Sequence, residues 1–169
     1  FPQILRGCGM SHYVFCRPDF GTHTLPVGTF NWTDRSGTTI PTRRSDNHYL
    51  TNGQIVYKLD RFLAHYKDEP VTMILWGIGN HGGGPSRKEY AALAQYKRQH
   101  PEYDFVESTP EAYFAERLKL KDTLPVVKGE IQHSFPGCYT SMSRIKRAHR
   151  EGESLMASTE RLVTLAWWW

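Results

Sequence analysis

The sequence predicts an α/β fold, and three observations indicate it. Over residues 1–133, stretches with helical spacing alternate with short stretches typical of strands. An apolar run at residues 71–75 leads into a glycine-rich stretch, residues 76–87, and a helical pattern follows. A single long helical pattern occupies the end of the chain. We therefore expect an α/β domain over residues 1–133 and the first helix of an all-helical domain over residues 134–169.

The first third of the chain reads as a short helix, a strand and a hairpin. Residues 2–6 are predicted to form a helical turn, and residues 10–16 a short apolar strand. Residues 29–33 and 38–42 are rich in β-branched and aromatic side chains and flank a turn that ends at Gly37. This pattern is typical of a β-hairpin. Residues 43–52 are polar and are predicted to be a loop.

The middle of the chain alternates between helices and strands. From residue 53, apolar residues fall on one helical face, and Pro70 ends the pattern. The run at residues 71–75 is predicted to be a strand covered on both sheet faces. Ser86 and Glu89 have the spacing of a capping box, which predicts the start of the next helix.

Four further elements follow. Residues 103–106 are predicted to be a strand. Thr109 and Pro110 mark a helix start, because threonine caps a helix and proline suits its first position. Residues 124–131 are predicted to be extended. Apolar residues at 3.6-residue spacing beyond residue 140 predict one long helix. Gly152 interrupts the apolar stripe at a tolerable cost of about 1 kcal/mol.

Composition narrows the classes of function. The net charge is +4, but the basic residues are scattered except at residues 144–150, whose basic helix face is typical of a solvated surface, so we expect no nucleic-acid partner. No run of 18 apolar residues and no signal peptide is visible, which predicts no membrane partner. Three cysteines without metal spacing favour a reducing, cytoplasmic location with mostly buried thiols. A first residue other than methionine and three terminal tryptophans predict an internal piece of a longer protein.

The glycine-rich stretch supplies the candidate chemistry. Four of the six residues from 79 to 84 are glycines, and the other two are Asn80 and His81. His81 has an imidazole that can exchange a proton near neutral pH, as a general acid or as a partner for sugar hydroxyls. Arg17 directly follows the first predicted strand and could clamp a ligand rich in hydroxyls, or could pair with Asp19. His133 follows the last extended segment.

A nucleotide site is an alternative for the same stretch. Residues 77–82 match G-x-G-x-x-G, and Glu107 lies where a dinucleotide-binding fold places its ribose-binding acid. The helix, however, is delayed until Ser86, whereas a phosphate site needs the helix to open within the motif. The usual zinc patterns are absent from the chain.

Four stretches together resemble one family, the family 38 glycoside hydrolases or α-mannosidases. They are the opening FPQILRGCGM, the pair YVFCR and FNWTDRSG, the glycine-rich GNHGGGPS, and the junction GEI…H…GCYTS at residues 129–141. The resemblance implies a retaining exo-α-mannosidase that cleaves terminal α-mannosides of mannose-containing oligosaccharides. It implies that this chain forms the later part of a seven-stranded β/α barrel, followed by a long helix of a three-helix bundle.

The same resemblance bears on the cofactor and on the site residues. The family uses zinc, but its zinc ligands and nucleophile fall outside residues 1–169, so we expect no metal ligand in this chain and no activity from it alone. Arg17 matches a family arginine near the sugar, and Tyr49 matches an aromatic residue that contacts mannose. Several relatives carry an acid where Asn80 or His81 stands, so His81 or a carboxyl group elsewhere would be the acid/base.

We therefore expect His81 to be catalytic and Arg17, Tyr49, Asn80 and His133 to bind the substrate. The complete enzyme is expected to form a homo-oligomer. Two alternatives stay open. One is a non-catalytic carbohydrate-binding module, and the other is a dinucleotide-binding domain.

Overall fold

A computed structural model describes residues 1–18, 21, 23–45, 50–79, 83–131, 137–138 and 141–169. The chain divides into two compact units, Phe1–Gln132 and His133–Trp169. The first unit combines helices with a four-stranded sheet, which confirms the α/β class. The second unit contains one long helix. The closed barrel and the helical bundle stay predictions.

The helices begin and end largely where their local signals lie. The elements of the first unit are α1 (Pro2–Gly7), β1 (Tyr13–Phe15), β2 (Thr29–Thr33), β3 (Thr39–Arg44), α2 (Ile55–His65), α3 (Arg87–Gln99), α4 (Pro110–Arg117), a 3-10 turn (Leu118–Leu120) and β4 (Val126–Lys128). The second unit contributes α5 (Ser143–Trp168). Ser86 caps α3 by accepting from the Glu89 N–H, and Thr109 caps α4 by accepting from the Ala112 N–H, as predicted.

The sheet is mixed, with strand order β1-β3-β2-β4. Strand β1 runs parallel to β3, β2 runs antiparallel to β3, and β4 runs parallel to β2. The predicted hairpin is therefore confirmed as β2 and β3. This arrangement places the carboxyl ends of β1 and β3 at one end of the sheet and the carboxyl end of β4 at the other.

Two apolar clusters stabilise the first unit. One lies between α1 and the sheet, and the other joins α2 to α3. Burial of such side chains contributes about 1.5–3 kcal/mol each relative to exposure. The sheet cluster contains Leu5, Phe15, Leu25, Phe30, Trp32, Ile40 and Ile131, and the helix cluster contains Ile55, Leu59, Leu93 and Tyr96.

The strands predicted at residues 71–75 and 103–106 are wrong, because both segments are described and neither is a strand. An apolar run indicates burial, but a strand also needs a hydrogen-bonded neighbour. The Leu75 carbonyl instead accepts from the Lys58 ammonium at 2.7 Å. Residues 71–75 are only half-buried. Phe105 packs edge-on against the ring of Tyr96, 5.9 Å between centroids, rather than extending a sheet.

The prediction of mostly buried thiols is also wrong. Cys8 and Cys138 are exposed and Cys16 is half-buried, and all three are free. Cys8 is the C-cap residue of the short helix α1. It lies in a run of exposed residues, 6–11, where the chain leaves this helix. In the described ranges, no helix combines the length and the apolar character needed to cross a bilayer.

The hairpin turn leads to a prediction about pH. The Asp34 carboxylate accepts from the Ser36 hydroxyl at 2.6 Å and from the backbone N–H groups of Ser36, Thr38 and Gln3. The Ser36 hydroxyl, then these N–H groups, lower the pKa of Asp34 below its ordinary value of 3.8. A carboxyl whose pKa is lowered on folding contributes stability above its unfolded pKa, and this contribution is lost as pH falls through the folded value.

We therefore expect Asp34→Asn to lower the stability of the chain most near neutral pH. The difference from the wild type should close as the pH falls below about 4. Urea titrations between pH 3 and pH 7 measure it, and Asp68→Asn, at an exposed position, is the control. A difference that stays constant with pH would contradict the assignment.

Candidate functional site

The glycine-rich stretch forms a loop whose base is closed. We call residues 76–87 the glycine loop, with a first leg at residues 76–79 and a second leg at residues 83–86. The Ile78 N–H donates to the Gly84 carbonyl at 2.9 Å across the legs. Gly77 has φ +132°, and a Cβ there would lie 2.9 Å from the Gly84 carbonyl carbon. A Cβ at Gly83 would overlap the Ile78 carbonyl oxygen. The legs can therefore approach so closely only because glycine stands at these positions.

The segment that leads from β3 into α2 holds the first leg. The Thr51 N–H donates to the Gly77 carbonyl at 2.8 Å, and the Gly77 N–H donates to the Thr51 hydroxyl oxygen at 3.1 Å. The Leu50 side chain fills the space that a Cβ at Gly79 would need. The Lys58 ammonium bridges the carbonyls of Leu50 and Leu75, at 3.2 and 2.7 Å. These bonds fix where the chain enters the loop.

Glu89 ties the second leg to the same segment. Its side chain is buried, with 1% of the residue exposed. The carboxylate accepts from the Thr51 hydroxyl and from the Gly53 N–H, the latter at 2.9 Å. The hydroxyl of Ser86, at the end of the second leg, donates to the other carboxylate oxygen at 3.5 Å. Among the described residues Glu89 forms no ion pair, so hydrogen bonds alone compensate its burial.

The predicted site residues are placed only in part. Arg17 is exposed and follows β1 beyond the end of the sheet where β1 and β3 finish. Asn80, His81, Tyr49 and His133 lie outside the described residues. Their meeting at one mouth, and their roles, stay predictions. Strand β4, which precedes His133 in the sequence, ends at the opposite end of the sheet from β1.

Arg43 is the most prominent residue that the sequence pattern missed. It was expected in a polar loop, but it lies in β3 with none of its surface exposed. Its guanidinium donates to Glu69 at 2.9 Å, to Thr72 at 2.7 Å and to the Tyr113 hydroxyl at 3.2 Å. It also stacks over the Tyr66 ring, 4.6 Å from the centroid. These partners allow the strand to continue through a charged residue.

Three other histidines with described positions pack against aromatic rings. His12 stacks on Phe114, with 4.4 Å between ring centroids, and burial lowers its pKa. His100 stacks on Tyr96 at 4.2 Å. His65 lies edge-on to the ring of Tyr66. These contacts are packing contacts between aromatic rings.

Two ligand classes find little support in the described part of the chain. No group of three or more histidine, cysteine, aspartate or glutamate side chains there could hold a metal ion. A dinucleotide site needs a helix that opens within the glycine motif, but α3 begins only at Arg87. Glu107, the candidate ribose-binding acid, forms an ion pair with Lys97 at 3.4 Å. It also accepts a hydrogen bond from the Tyr90 hydroxyl, which raises the pKa of Tyr90.

The chain matches one known protein family over most of its length. The model of the family described as glycosyl hydrolases family 38, N-terminal domain, matches residues 1–133. The chain therefore belongs to glycoside hydrolase family 38.

Curated relatives align with almost the whole chain. Alpha-mannosidase 2C1 of Homo sapiens is 25% identical over 98% of the chain, and Alpha-mannosidase G of Dictyostelium discoideum is 25% identical over 96%. Alpha-mannosidase 2C1 of Mus musculus is 24% identical over 98%. The chain spans 16% of the length of each of these relatives.

Proposed function

We propose that the complete protein containing this chain is a retaining exo-α-mannosidase that hydrolyses terminal α-mannosides of oligosaccharides. The family match over residues 1–133 carries this proposal, together with relatives named alpha-mannosidases that align with nearly all of the chain. In this proposal, residues 1–133 form the later part of a seven-stranded β/α barrel. Residues 134–169 contribute the first helix of a three-helix bundle.

The glycine loop is the part of this chain best suited to a sugar site. Its base is closed by the contact between Ile78 and Gly84 and anchored through Thr51, so the three residues between the legs leave from fixed points. We assign His81 to proton transfer at the glycosidic oxygen, and Asn80 to hydrogen bonding with sugar hydroxyls. In a retaining reaction one group first donates a proton to the leaving oxygen and later takes one from water.

We assign the other substrate contacts to Arg17, Tyr49 and His133. Arg17 would donate to sugar hydroxyls from beyond the carboxyl end of β1. Tyr49 would pack against the sugar, and His133 would complete the contact. Zinc and the nucleophilic carboxylate would be supplied by residues outside this chain. We place the complete enzyme in the cytoplasm as a homo-oligomer.

Hydrolysis by the complete protein tests the proposal. We expect release of nitrophenol from 4-nitrophenyl α-mannoside, with none from the β-mannoside or the α-glucoside. Proton NMR of the first product should show the α-anomer. His81→Gln should lower kcat by about 10²-fold, the usual contribution of a general acid. A complete protein that binds mannosides saturably but hydrolyses none would favour a carbohydrate-binding module instead.

A further inference from the structure

Thr51 and Glu89 form one hydrogen-bonded unit that joins the two legs of the glycine loop. Both the backbone N–H and the hydroxyl of Thr51 form hydrogen bonds with Gly77 on the first leg. Glu89 accepts from the Thr51 hydroxyl and lies in the first turn of α3, directly after the second leg. The sequence separation of these two residues is 38. The unit therefore links distant parts of the chain at the base of the loop.

The donors and acceptors of this unit depend on one another. The Thr51 hydroxyl has a single proton, and both the Glu89 carboxylate and, at 3.1 Å, the Gly77 carbonyl lie within reach as acceptors. The carboxylate is the closer of the two, and the hydroxyl oxygen accepts from the Gly77 N–H at the same time. The Gly53 N–H donates to the same carboxylate oxygen at 2.9 Å. Removing the hydroxyl leaves the Gly77 N–H and the buried carboxylate each with one bond fewer. An unsatisfied buried polar group is costly, so the legs would shift to find other partners.

The tight packing of the loop base makes such a shift consequential. A Cβ added at Gly77 or at Gly83 would clash with the opposite leg, so there is no room for a side chain between the legs. A displacement of the first leg therefore moves both ends of the segment between them. Misplacement of a catalytic group by about 1 Å can cost 10²-fold in rate.

We propose that Glu89 is a positioning residue, which acts through Thr51 to hold the two legs of the glycine loop in register for the sugar site. This inference rests on the proposed function, because it assigns the purpose of the loop to that site. Glu89 itself is buried under the loop base and contacts no substrate. Its role is to fix the points at which the chain enters and leaves the loop.

Variants of Thr51 separate a positioning role from simple packing. Thr51→Val keeps the side-chain shape but removes the hydroxyl, whereas Thr51→Ser keeps the hydroxyl and is the matched control. In the complete protein we expect Thr51→Val to lower kcat about tenfold or more with KM changed less than threefold. Thr51→Ser should retain wild-type values within about twofold. Glu89→Gln keeps an acceptor for Gly53 and should have a smaller effect than Glu89→Ala.

Hydrogen exchange of the 169-residue chain tests the link without any substrate. The amides of Gly77 and Gly53 should exchange about tenfold faster in Thr51→Val than in Thr51→Ser. In a double-mutant cycle, Glu89→Ala should add little to Thr51→Val. Circular dichroism of each variant checks that the helices remain.

The outcomes distinguish this inference from the proposed function. A wild-type protein without mannosidase activity would overturn the proposed function and the purpose assigned to Glu89, whatever the exchange rates. An active wild type whose Thr51→Val variant keeps its kcat would overturn the positioning role alone. Unchanged exchange at Gly77 and Gly53 in that variant would show that the unit does not hold the loop.

Discussion

Arg43→Ala is expected to lower the free energy of unfolding of the chain by about 3–5 kcal/mol. The guanidinium is fully buried and bonds to Glu69, Thr72 and Tyr113. Its loss removes the ion-pair partner of the Glu69 carboxylate and the stacking of the guanidinium over the Tyr66 ring. A domain has only about 5–15 kcal/mol of net stability, so a large part of it would disappear. Urea unfolding followed by tryptophan fluorescence measures the change.

Two further variants sharpen this test. Arg35→Ala, in the exposed hairpin turn, should change stability by less than about 0.5 kcal/mol. Arg43→Lys keeps the charge but cannot reach three partners with a planar fork, so its loss should be intermediate. The cost of Glu69→Gln should be much smaller in the Arg43→Ala background than in the wild type. An Arg43→Ala variant within about 1 kcal/mol of the wild type would contradict the assigned role.

The parts of the fold that could be predicted depend on local interactions. The caps of α3 and α4 involve residues three positions apart, Ser86 with Glu89 and Thr109 with Ala112. The hairpin turn is likewise closed by the Asp34 side chain within four residues. Such signals are complete in the sequence itself, because both partners lie in one short window.

The failures concern contacts between distant residues. The run at residues 71–75 has the composition of a strand, yet pairing depends on a neighbour that composition does not identify. Arg43 looks like a loop residue until its partners, 26 to 70 residues away, are known. The available signal was Arg43 itself, a charged residue directly after the predicted strand at residues 38–42. If a strand continues through an arginine, that arginine requires buried acceptors.

The candidate site shows the same division. Glu89 was recognised as half of a capping box, but its burial and its bond to Thr51 were not, because that partner lies 38 positions earlier. The glycines predicted a sharp turn at the right place. Their pattern could not show which of them are required, because this depends on the atoms opposite each one.

Two neighbouring glycines of the loop, Gly83 and Gly84, are therefore expected to differ in how well they tolerate substitution by alanine. Gly83→Ala places a Cβ on the Ile78 carbonyl oxygen, so the legs must separate and the Ile78–Gly84 hydrogen bond must lengthen or break. Overpacking of this kind costs about 1–3 kcal/mol. At Gly84, no described atom lies within 4 Å of an added Cβ, so Gly84→Ala should be tolerated.

The exchange rate of the Ile78 amide measures this difference directly. In the 169-residue chain, Gly83→Ala should accelerate it by roughly five- to 160-fold, which corresponds to the same 1–3 kcal/mol. Gly84→Ala should leave it within about twofold of the wild type. In the complete protein, Gly83→Ala should also lower kcat/KM for an α-mannoside at least tenfold, since the points that position the loop would move. Equal behaviour of the two variants would mean that close contact between the legs does not shape the loop, because of the two added Cβ atoms only the one at Gly83 would meet the opposite leg.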